Sequence, residues 1–534
     1  MRVTRRGFLG GLGAVGLVAC TGGSQDSQER SATTTTLDLP DPPALPDDPF
    51  TLGVASGDPL PDSVVLWTRL APDPVAGGMP DTDVPVVWEV AADEKFDDVV
   101  ASGGEITGPL VAHSVHVDVR GLDPATDYWY RFTVGDHESP VGRTRTAPAP
   151  DASPDRIAFA VASCNAYQSG YFTAYRHMAD EDLDVVVFLG DYIYELEASV
   201  DARPHGMDIP RGLEGYRSYY GLYKTDTDLQ AAHAAFPWIV TWDDHEVEDN
   251  YAGLEPGEVS TKLFDDAVET FPERRAAAYR AFWEHMPLRA EPTMGESLRL
   301  YRDFRFGDLL ELPVLDARQY KSPVVEGEGA GGLPRGAGGG PLLDGAFDES
   351  RSMLGEEQEE WLEEILVDSD ARWKVLAQPS VMAEMDRMPD DPSIGFSMDA
   401  WDGYIANRNR LLGLVADEGI GNVVSVGGDI HTSAVTDLRA DYQDPTSSLV
   451  GSEFVGTSIS AIELLPDGFA QATLTQDHVH LYDPDRRGYM RVEVAPDELG
   501  VTYRYVSDTG TPDGTIADGT RWVVADGVPG ARPA

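Results

Sequence analysis

The chain has 534 residues, which is more than a single hydrophobic core accommodates, so at least two domains are expected. It carries 92 acidic and 40 basic residues, a formal net charge of −52, and 42% of its residues are hydrophobic, as in a globular protein. A surface this negative repels nucleic acids and anionic lipids, which excludes both as partners held by simple electrostatic attraction.

Residues 1–23 predict an export signal. The stretch "TRRGFL" places twin arginines before an apolar run too short to span a bilayer, and it resembles a twin-arginine signal. The run ends in "LVAC", which resembles a lipoprotein cleavage box with Cys20 as the lipidated first residue of the mature chain. A plain cleaved signal, with Cys20 incidental, is the alternative. We therefore expect export by the twin-arginine route and a lipid anchor on the outer face of the cytoplasmic membrane, or otherwise a secreted or periplasmic protein.

Residues 24–49 are rich in Ser, Thr and Pro and predict a flexible tether. Residues 50–147 contain short runs rich in Val, Trp and Tyr, bounded by Gly, Pro or Asp, which predict a small antiparallel β-sandwich of immunoglobulin or fibronectin type. His113 and His116 are expected to be ordinary residues of this sandwich. The Pro- and Ala-rich residues 146–155 predict an interdomain linker.

Residues 155–506 alternate apolar strand-like runs with helical stretches, which predicts an α/β domain. The predicted helices lie near residues 171–180, 272–286, 355–366 and 404–418. A β-hairpin is predicted in "RDFRFGDLLELPVLDARQY" and a mobile surface loop at the Gly-rich residues 326–340. A long polar insertion that contains "YRSYYGLYKTDTDLQAAHAA" is predicted between "DVVVFLGDY" and "PWIVTWDDHE". Residues 507–534 form a C-terminal tail to which the sequence assigns no role.

Five predicted strands of this domain end in polar or metal-binding side chains. Ligands of open α/β sheets bind at the carboxyl ends of the strands, so these side chains are expected to converge on one site. A single such end is more often a loop cap, but five together favour a shared site. The residues are Cys164 and Asn165, Asp191 and Tyr194, Asp243 to His245, Gln378, and Asp429 and His431.

Several carboxylates in one site repel each other unless cations neutralise them. The thiolate of Cys164, the phenolate of Tyr194 and the imidazole of His431 suit a metal such as iron, whereas carboxylate and amide oxygens suit calcium or magnesium. Asp191 is placed where it would bridge two ions. Paired cations at bridging distance catalyse phosphoryl transfer.

The motifs resemble those of a known family. "GDYIY" matches the GDxxY motif of purple acid phosphatases and related metallophosphoesterases, and "WDDHE", "VLAQ" and "GGDIH" stand where that superfamily has its other ligand motifs. Together with "SCN", "LDARQY", "FVGTSIS" and the N-terminal "LGVASGDPLPDSVVLWTRL", the chain is similar to the alkaline phosphatase D (PhoD) family from about residue 50 to residue 506. The resemblance implies a metallophosphatase-like α/β sandwich with mixed sheets flanked by helices, preceded by the small β-sandwich.

The resemblance also implies the metals. Fe³⁺ would be held by Cys164, Asp191, Tyr194 and His431. Asp191 would bridge to Ca²⁺, which Asp244 and Asp429 would also bind. These two carboxylates replace the neutral Asn and His of the superfamily motifs, which favours calcium over a zinc-like ion.

For the remaining positions the resemblance implies weaker assignments. Asn165 and Asp243 are candidates for a second Ca²⁺, and Gln378 replaces a usual ligand histidine. His245 corresponds to the histidine that contacts the phosphate and protonates the leaving group, and Arg318 is a candidate for binding the phosphate oxygens.

The implied activity is hydrolysis of phosphate monoesters or diesters by a metal-bound hydroxide or oxo group, without a phospho-enzyme. A phospholipase D-like phosphodiesterase and a non-catalytic, metal-stabilised surface binding protein are the alternatives. A monomer is expected, attached to the membrane only through Cys20. His478 is expected to be an ordinary strand or loop residue, with a role in the site as the alternative, and "EEQEEWLEEI" a solvated helix face.

Overall fold

The chain is described from a computed structural model that covers residues 39–45, 47–196, 202–257, 270–291, 297–325, 341–390, 395–462 and 468–534. The predicted signal, Cys20, most of the tether and the Gly-rich residues 326–340 lie outside the described residues. The helices are α1 Thr173–Ala179, α2 Gly212–Tyr223, α3 Thr227–Ala235, α4 Phe271–His285, α5 Glu356–Asp368, α6 Ile405–Glu418 and α7 Phe469–Thr473. Among the described residues, none of the helices is both long and apolar enough to span a membrane.

The strands are β1 Val54–Leu60, β2 Ser63–Arg69, β3 Val84–Ala91, β4 Val99–Thr107, β5 Ser114–Arg120, β6 Asp127–Val134, β7 His137–Glu138, β8 Gly142–Arg145, β9 Ile157–Ala162, β10 Val185–Leu189, β11 Pro237–Thr241, β12 Arg302–Phe306, β13 Leu310–Val314, β14 Trp373–Ala377, β15 Val423–Gly427, β16 Ser433–Arg439, β17 Leu449–Val455, β18 Val479–Asp483, β19 Arg487–Val494, β20 Glu498–Val506, β21 Ile516–Ala525 and β22 Val528–Pro533.

Two mixed sheets form the large domain. The first has ten strands in the order β22-β21-β20-β19-β9-β10-β11-β1-β2-β5, and the second has seven in the order β12-β13-β14-β15-β17-β16-β18. The parallel strands β9, β10 and β11 are short apolar runs buried along their whole length, as expected for strands covered on both faces. Apolar residues of both sheets, such as Val161, Val187, Val375 and Val426, meet in the core between them.

Helices cover the outer faces of both sheets. Apolar residues of α1 to α4 pack on the first sheet, and those of α5 and α6 pack on the second. Helices α1, α4, α5 and α6 lie where the sequence predicts them, and β12 and β13 form the predicted hairpin. Helices α2 and α3 lie in the stretch predicted as a polar insertion. Helix α2 is rich in tyrosine, and aromatic residues are only average helix formers, so its composition does not reveal the helix.

The N-terminal region has the predicted antiparallel β-sandwich, but it is joined to the large domain. The sheet of β3, β4, β6, β7 and β8 packs over β1, β2 and β5 around one apolar core. Strand β1 also pairs in parallel with β11, with Gly57 opposite Trp238. A Cβ atom at Gly57 would lie 2.4 Å from the carbonyl oxygen of Pro287, so only glycine allows this approach. One layer of the sandwich is therefore an extension of the first sheet.

The C-terminal residues are folded. Strands β21 and β22 lie within the predicted tail and extend the first sheet through antiparallel pairing with β20. The side chain of Tyr503 in β20 donates a hydrogen bond to the carbonyl oxygen of Ala434 in the second sheet, at 2.6 Å. Strand β22 is therefore an edge strand of the first sheet, and β20, two strands further in, is bonded to the second sheet.

Candidate metal centre

The loops that follow β9, β10 and β11 meet at one edge of the first sheet. The N–H of Cys164 donates to the carbonyl oxygen of Gly190 at 3.1 Å, and the N–H of Asn165 donates to that of Asp191 at 2.8 Å. Gly190 has a φ of 101°, and a Cβ atom there would lie 2.3 Å from the backbone nitrogen of Asp243. Glycine thus allows the second and third loops to touch, which brings their polar residues together.

Four of the predicted ligands have an unusual backbone conformation. Cys164, Asp191, Asp429 and His431 have φ values of 64°, 58°, 69° and 53°. Eleven non-glycine residues in the described part of the chain have a positive φ, so these four make up a large share. Each such residue costs on the order of 1–3 kcal/mol and persists where the surrounding structure enforces it, typically at functional sites.

Cys164, Asp191 and His431 form the first of two ligand groups, with one ligand atom of each within 4.8 Å of the others. The hydroxyl of Tyr194 lies 2.9 Å from Oδ2 of Asp191 and 2.8 Å from Nε2 of His431. The thiol of Cys164 lies 3.4 Å from the same Asp191 oxygen. The structure therefore brings all four residues of the predicted iron site together.

Asp191, Asp244 and His245 form the second group, by the same 4.8 Å criterion. Asp191 belongs to both groups, as expected for a carboxylate between two ions. Asp429 follows β15 of the second sheet, and its pKa is raised by burial and by the charge of Asp243. The predicted calcium ligands are thus adjacent to the iron ligands.

Burial and mutual repulsion strongly perturb the first group. Burial raises the pKa of the Cys164 thiol well above its usual value, and the charge of Asp191 adds to the effect. Burial likewise raises the pKa of Asp191 and of the Tyr194 hydroxyl. Burial lowers the pKa of His431 to about 3, which keeps its imidazole neutral and able to bind a metal.

Two buried carboxylate oxygens indicate that cations fit this site. Oδ1 of Asp191 and Oδ2 of Asp243 are buried and have no hydrogen-bond donor among the described residues. Buried oxygens of this kind are costly unless a donor or a cation satisfies them. Thiol, phenol and imidazole on one side and carboxylates on the other match a borderline metal next to a hard one. The donor set fits two unlike cations that share Asp191.

Arg318 is buried among these carboxylates. Its Nε donates to Asp243, one terminal nitrogen lies 2.6 Å from Asp399, and the other lies 3.6 Å from Asp244. Lys321 also bonds to Asp399, at 2.5 Å. Burial lowers the pKa of Arg318, but these carboxylates outweigh it and the net pKa is raised. Arg318 therefore neutralises part of the cluster, and its contact with phosphate stays a prediction.

The other predicted ligands are less directly placed. The side-chain oxygen of Asn165 accepts from the hydroxyl of Tyr175 at 2.7 Å, while its buried amide nitrogen has no acceptor among the described residues. Gln378 is fully buried, and its amide bonds to Ser380 and to the indole of Trp401. The roles of Asn165 and Gln378 as metal ligands therefore stay predictions.

The structure places the remaining histidines outside the two groups. Nε2 of His478 lies 2.7 Å from the carbonyl oxygen of Glu384, which is a structural contact. Nε2 of His116 lies 3.0 Å from the carbonyl oxygens of Trp283 and Met286, between the sandwich and α4.

Two carboxylates that position the site were not assigned from the sequence. Oε2 of Glu246 accepts the N–H groups of Asp191 and Asp243 at 3.0 and 2.9 Å, and Oε1 accepts that of Tyr192 at 2.6 Å. Glu246 is the last residue of "WDDHE", and the superfamily motif also ends in an acidic residue. The motif could therefore have been used to predict a role for Glu246. Glu195 bonds to His245 at 2.7 Å.

Two other elements hold the ligand loops from behind. The buried hydroxyl of Tyr223 in α2 accepts the N–H of Tyr167 at 3.3 Å and that of Tyr194 at 3.0 Å. The loop after β17 donates the N–H of Ile459 to the carbonyl oxygen of Ser163 at 3.0 Å. The first contact has no sequence signal, because nothing distinguishes Tyr223 from the other tyrosines of α2.

Comparison with known proteins identifies relatives of this arrangement. Residues 159–503 match the family model of the PhoD-like phosphatases, and residues 36–148 match the model of the N-terminal domain of that family. The chain is 44% identical over 495 residues to alkaline phosphatase D of Bacillus subtilis (strain 168), covering 91% of this chain and 82% of the relative. A solved structure of PhoD superposes with a TM-score of 0.85 at 42% identity, covering 92% of this chain and 93% of the other.

Proposed function

The chain belongs to the PhoD-like phosphatase family, and from this premise we propose that it is an exported, metal-dependent hydrolase of phosphate esters that uses iron and calcium. The family makes it an enzyme and makes a phosphoester its substrate. The identity of the metals, the reaction path and the location are the proposed parts.

A single observation carries the proposal. Two ligand groups share Asp191, and one offers sulfur, phenol and imidazole while the other offers mainly carboxylates. This arrangement supports Fe³⁺ at Cys164, Asp191, Tyr194 and His431, with one or two Ca²⁺ ions on the side of Asp244 and Asp429.

The chemistry that cations bound at such a centre supply is neutralisation of the carboxylates and activation of a water molecule for attack on phosphorus. The protein's own groups would do the rest. His245 lies beside the shared carboxylate and would donate a proton to the leaving oxygen, without a phospho-enzyme. Arg318, which pairs with Asp243 and Asp244, would keep these carboxylates in place and is the candidate for binding the phosphate oxygens.

A comparison of two substrates tests the activity. We expect the natively exported chain to hydrolyse p-nitrophenyl phosphate, bis-p-nitrophenyl phosphate or both, and the ratio of kcat/KM values assigns it as a monoesterase or a diesterase. The metal-depleted chain is the control. Equal and negligible rates for the metal-loaded and metal-depleted chains would refute the proposal.

We also propose that the chain leaves the cytoplasm folded and is anchored through Cys20. Twin arginines, Arg5 and Arg6, precede the apolar run in the sequence. Replacing both with lysine is expected to retain the chain in the cytoplasm, and Cys20→Ser to release it from the membrane fraction. Light scattering of the released chain tests the proposed monomer. An unchanged distribution of either variant would contradict the corresponding step.

A further inference from the structure

Glu195 and His245 form a buried pair beside the metal ligands. Oε2 of Glu195 lies 2.7 Å from Nδ1 of His245, and the side chain of Glu195 is 0% exposed. A carboxylate accepts hydrogen bonds but does not donate them, so Nδ1 carries the hydrogen in this contact. The other ring nitrogen, Nε2, is thereby left as the one that can exchange a proton with a substrate.

The second oxygen of Glu195 holds the backbone of the segment that contains His245. Oε1 accepts the N–H of Asp249 at 2.7 Å, so one carboxylate holds both the ring and the backbone four residues further on. The N–H groups of His245 and Asn250 in turn donate to the two oxygens of Asp244, at 3.0 and 2.7 Å. The segment from Asp244 to Asn250 is therefore closed around the predicted ligand Asp244.

The ring of His245 is also held from one face. The ring of Tyr194 lies against it, with 4.2 Å between the centroids and an angle of 32° between the planes. Nε2 of His245 lies 4.0 Å from Oδ1 of Asp249, beyond hydrogen-bond distance. Nδ1 is thus bonded and the ring is held in place, while the contact of Nε2 with Asp249 is too long to be a hydrogen bond.

We propose that Glu195 is a positioning residue that fixes the ring of His245 and keeps a hydrogen on Nδ1, so that Nε2 of the doubly protonated ring presents a proton to the leaving oxygen of the substrate. The inference rests on the proposed function, since it concerns proton donation in the same site. Adjacent residues of "GDYIYE" then have separate tasks: Tyr194 faces the metal ligands and Glu195 holds the proton donor. A carboxylate that orients a catalytic imidazole acts in the same way in other hydrolases.

A water molecule supplies the oxygen that forms the new bond to phosphorus and releases a proton to solvent. The bond from phosphorus to the leaving oxygen breaks, and its electron pair stays on that oxygen. The proton on Nε2 moves to the leaving oxygen, the ring becomes neutral with its hydrogen on Nδ1, and Nε2 regains a proton from solvent after the products leave.

Two other roles for the pair make different predictions. Glu195 and His245 would form only a structural contact, or His245 would be a metal ligand, as its place in the second ligand group allows. A structural role lowers the rates for all substrates alike. A ligand role lowers the metal content together with the rate.

The test uses the exported, metal-loaded chain and two aryl esters of the type that it hydrolyses best. Phenolate is a poor leaving group, and its departure depends on protonation by a general acid. p-Nitrophenolate is a much better leaving group, and its departure depends little on protonation. In Glu195→Gln we expect kcat for the phenyl ester to fall about a hundredfold and kcat for the p-nitrophenyl ester less than about tenfold, with metal content unchanged. Glu181→Gln, which alters a carboxylate bonded to Tyr489 and Arg504, is the control and should leave both rates unchanged.

A double variant completes the test. In a His245→Asn background, Glu195→Gln should reduce the rates no further, because the contact with the ring is already lost and the new side chain keeps an oxygen that can accept the N–H of Asp249. Equal losses for both esters, a loss of metal in Glu195→Gln, or additive losses in the double variant would each overturn the inference. An unmodified chain that hydrolyses neither ester would refute the proposed function, and this inference with it.

Discussion

Two acidic regions of this molecule differ in almost every physical respect. Helix α5 carries six glutamates, and Glu349, Glu356, Glu359, Glu360 and Glu363 line a surface cavity of about 390 Å³. Its acidic side chains are exposed or half-buried, and Arg410 pairs with Glu359. In the candidate metal centre, Asp191, Asp243 and Asp244 are buried, and one oxygen each of Asp191 and Asp243 lacks a donor among the described residues.

The comparison shows that the number of carboxylates does not identify a metal site. Water screens the charges of an exposed helix face, so they repel each other only weakly. In the buried cluster, burial raises the pKa of Asp191 and Asp429 strongly, and cysteine, tyrosine and histidine ligands lie among the acids. Burial, unpaired oxygens and mixed ligand types together indicate metal binding, and α5 has none of the three.

The difference between the two acidic regions can be tested by replacing one carboxylate in each of them. Asp191→Asn is expected to reduce kcat by about a thousandfold or more and to lower the content of both metals, because Asp191 belongs to both ligand groups. Glu360→Gln on α5 is the matched control. Its stability should stay within about 0.5 kcal/mol of the parent and its activity should be unchanged. Comparable effects of the two variants would contradict the distinction.

Removal of calcium by a chelator tests, without a mutation, whether the buried carboxylates of the candidate metal centre need this cation. We expect EGTA to abolish activity and added calcium to restore it, because the buried carboxylates need the cation for neutralisation. The free energy of unfolding should fall by about 3 kcal/mol if the calcium concentration was a hundred times the dissociation constant. Thermal unfolding with and without EGTA measures it. If EGTA changed neither the activity nor the stability, the assignment of calcium would be wrong.

The iron ligands are tested separately by Cys164→Ala. The thiol lies 3.4 Å from Asp191 within the first group, so its loss should release iron while the N-terminal sandwich remains folded. Loss of the visible absorption band expected for a tyrosinate bound to Fe³⁺ would accompany it. The intrinsic fluorescence and unfolding transition of the variant provide the control. Unchanged iron content would show that Cys164 is only a buried residue.

A smaller effect on activity is expected from a change at Tyr223, whose hydroxyl holds the backbone of the two loops that contain Tyr167 and Tyr194. Tyr223→Phe removes the acceptor of two backbone N–H groups, which costs on the order of 1–3 kcal/mol and should lower kcat about tenfold by loosening both loops. Tyr219→Phe in the same helix, whose hydroxyl bonds to the carbonyl oxygen of Asp208, is the matched control. Equal activities of the two variants would show that Tyr223 does not position the ligands.

The sequence predicts the ligands better than it predicts their supports. Cys164, Asp191 and His431 stand at the ends of apolar strands, and both the strand period and the ligand type are visible in the residues themselves. Tyr194 follows Asp191 by three residues and is predicted from its phenol as a further ligand of the same metal, and the structure brings these four residues together. Local sequence was sufficient for them because each ligand directly follows its own strand.

The supports depend on contacts between distant parts of the chain. Tyr223 accepts hydrogen bonds from residues 29 and 56 positions away, and Glu246 from a loop 55 positions away. The pairing of β1 with β11 joins the sandwich to the large domain in the same long-range manner. Alternating apolar residues reveal a strand but not its neighbour in a sheet, so these contacts could not be predicted.

Elemental analysis of the chain purified from its native host distinguishes an iron and calcium centre from any other. We expect one iron and at least one calcium per chain, with iron lost in Cys164→Ala and both metals lowered in Asp191→Asn, while Glu360→Gln keeps the full complement. A chain that carries two equivalents of zinc, or that is fully active with neither iron nor calcium, would contradict this expectation.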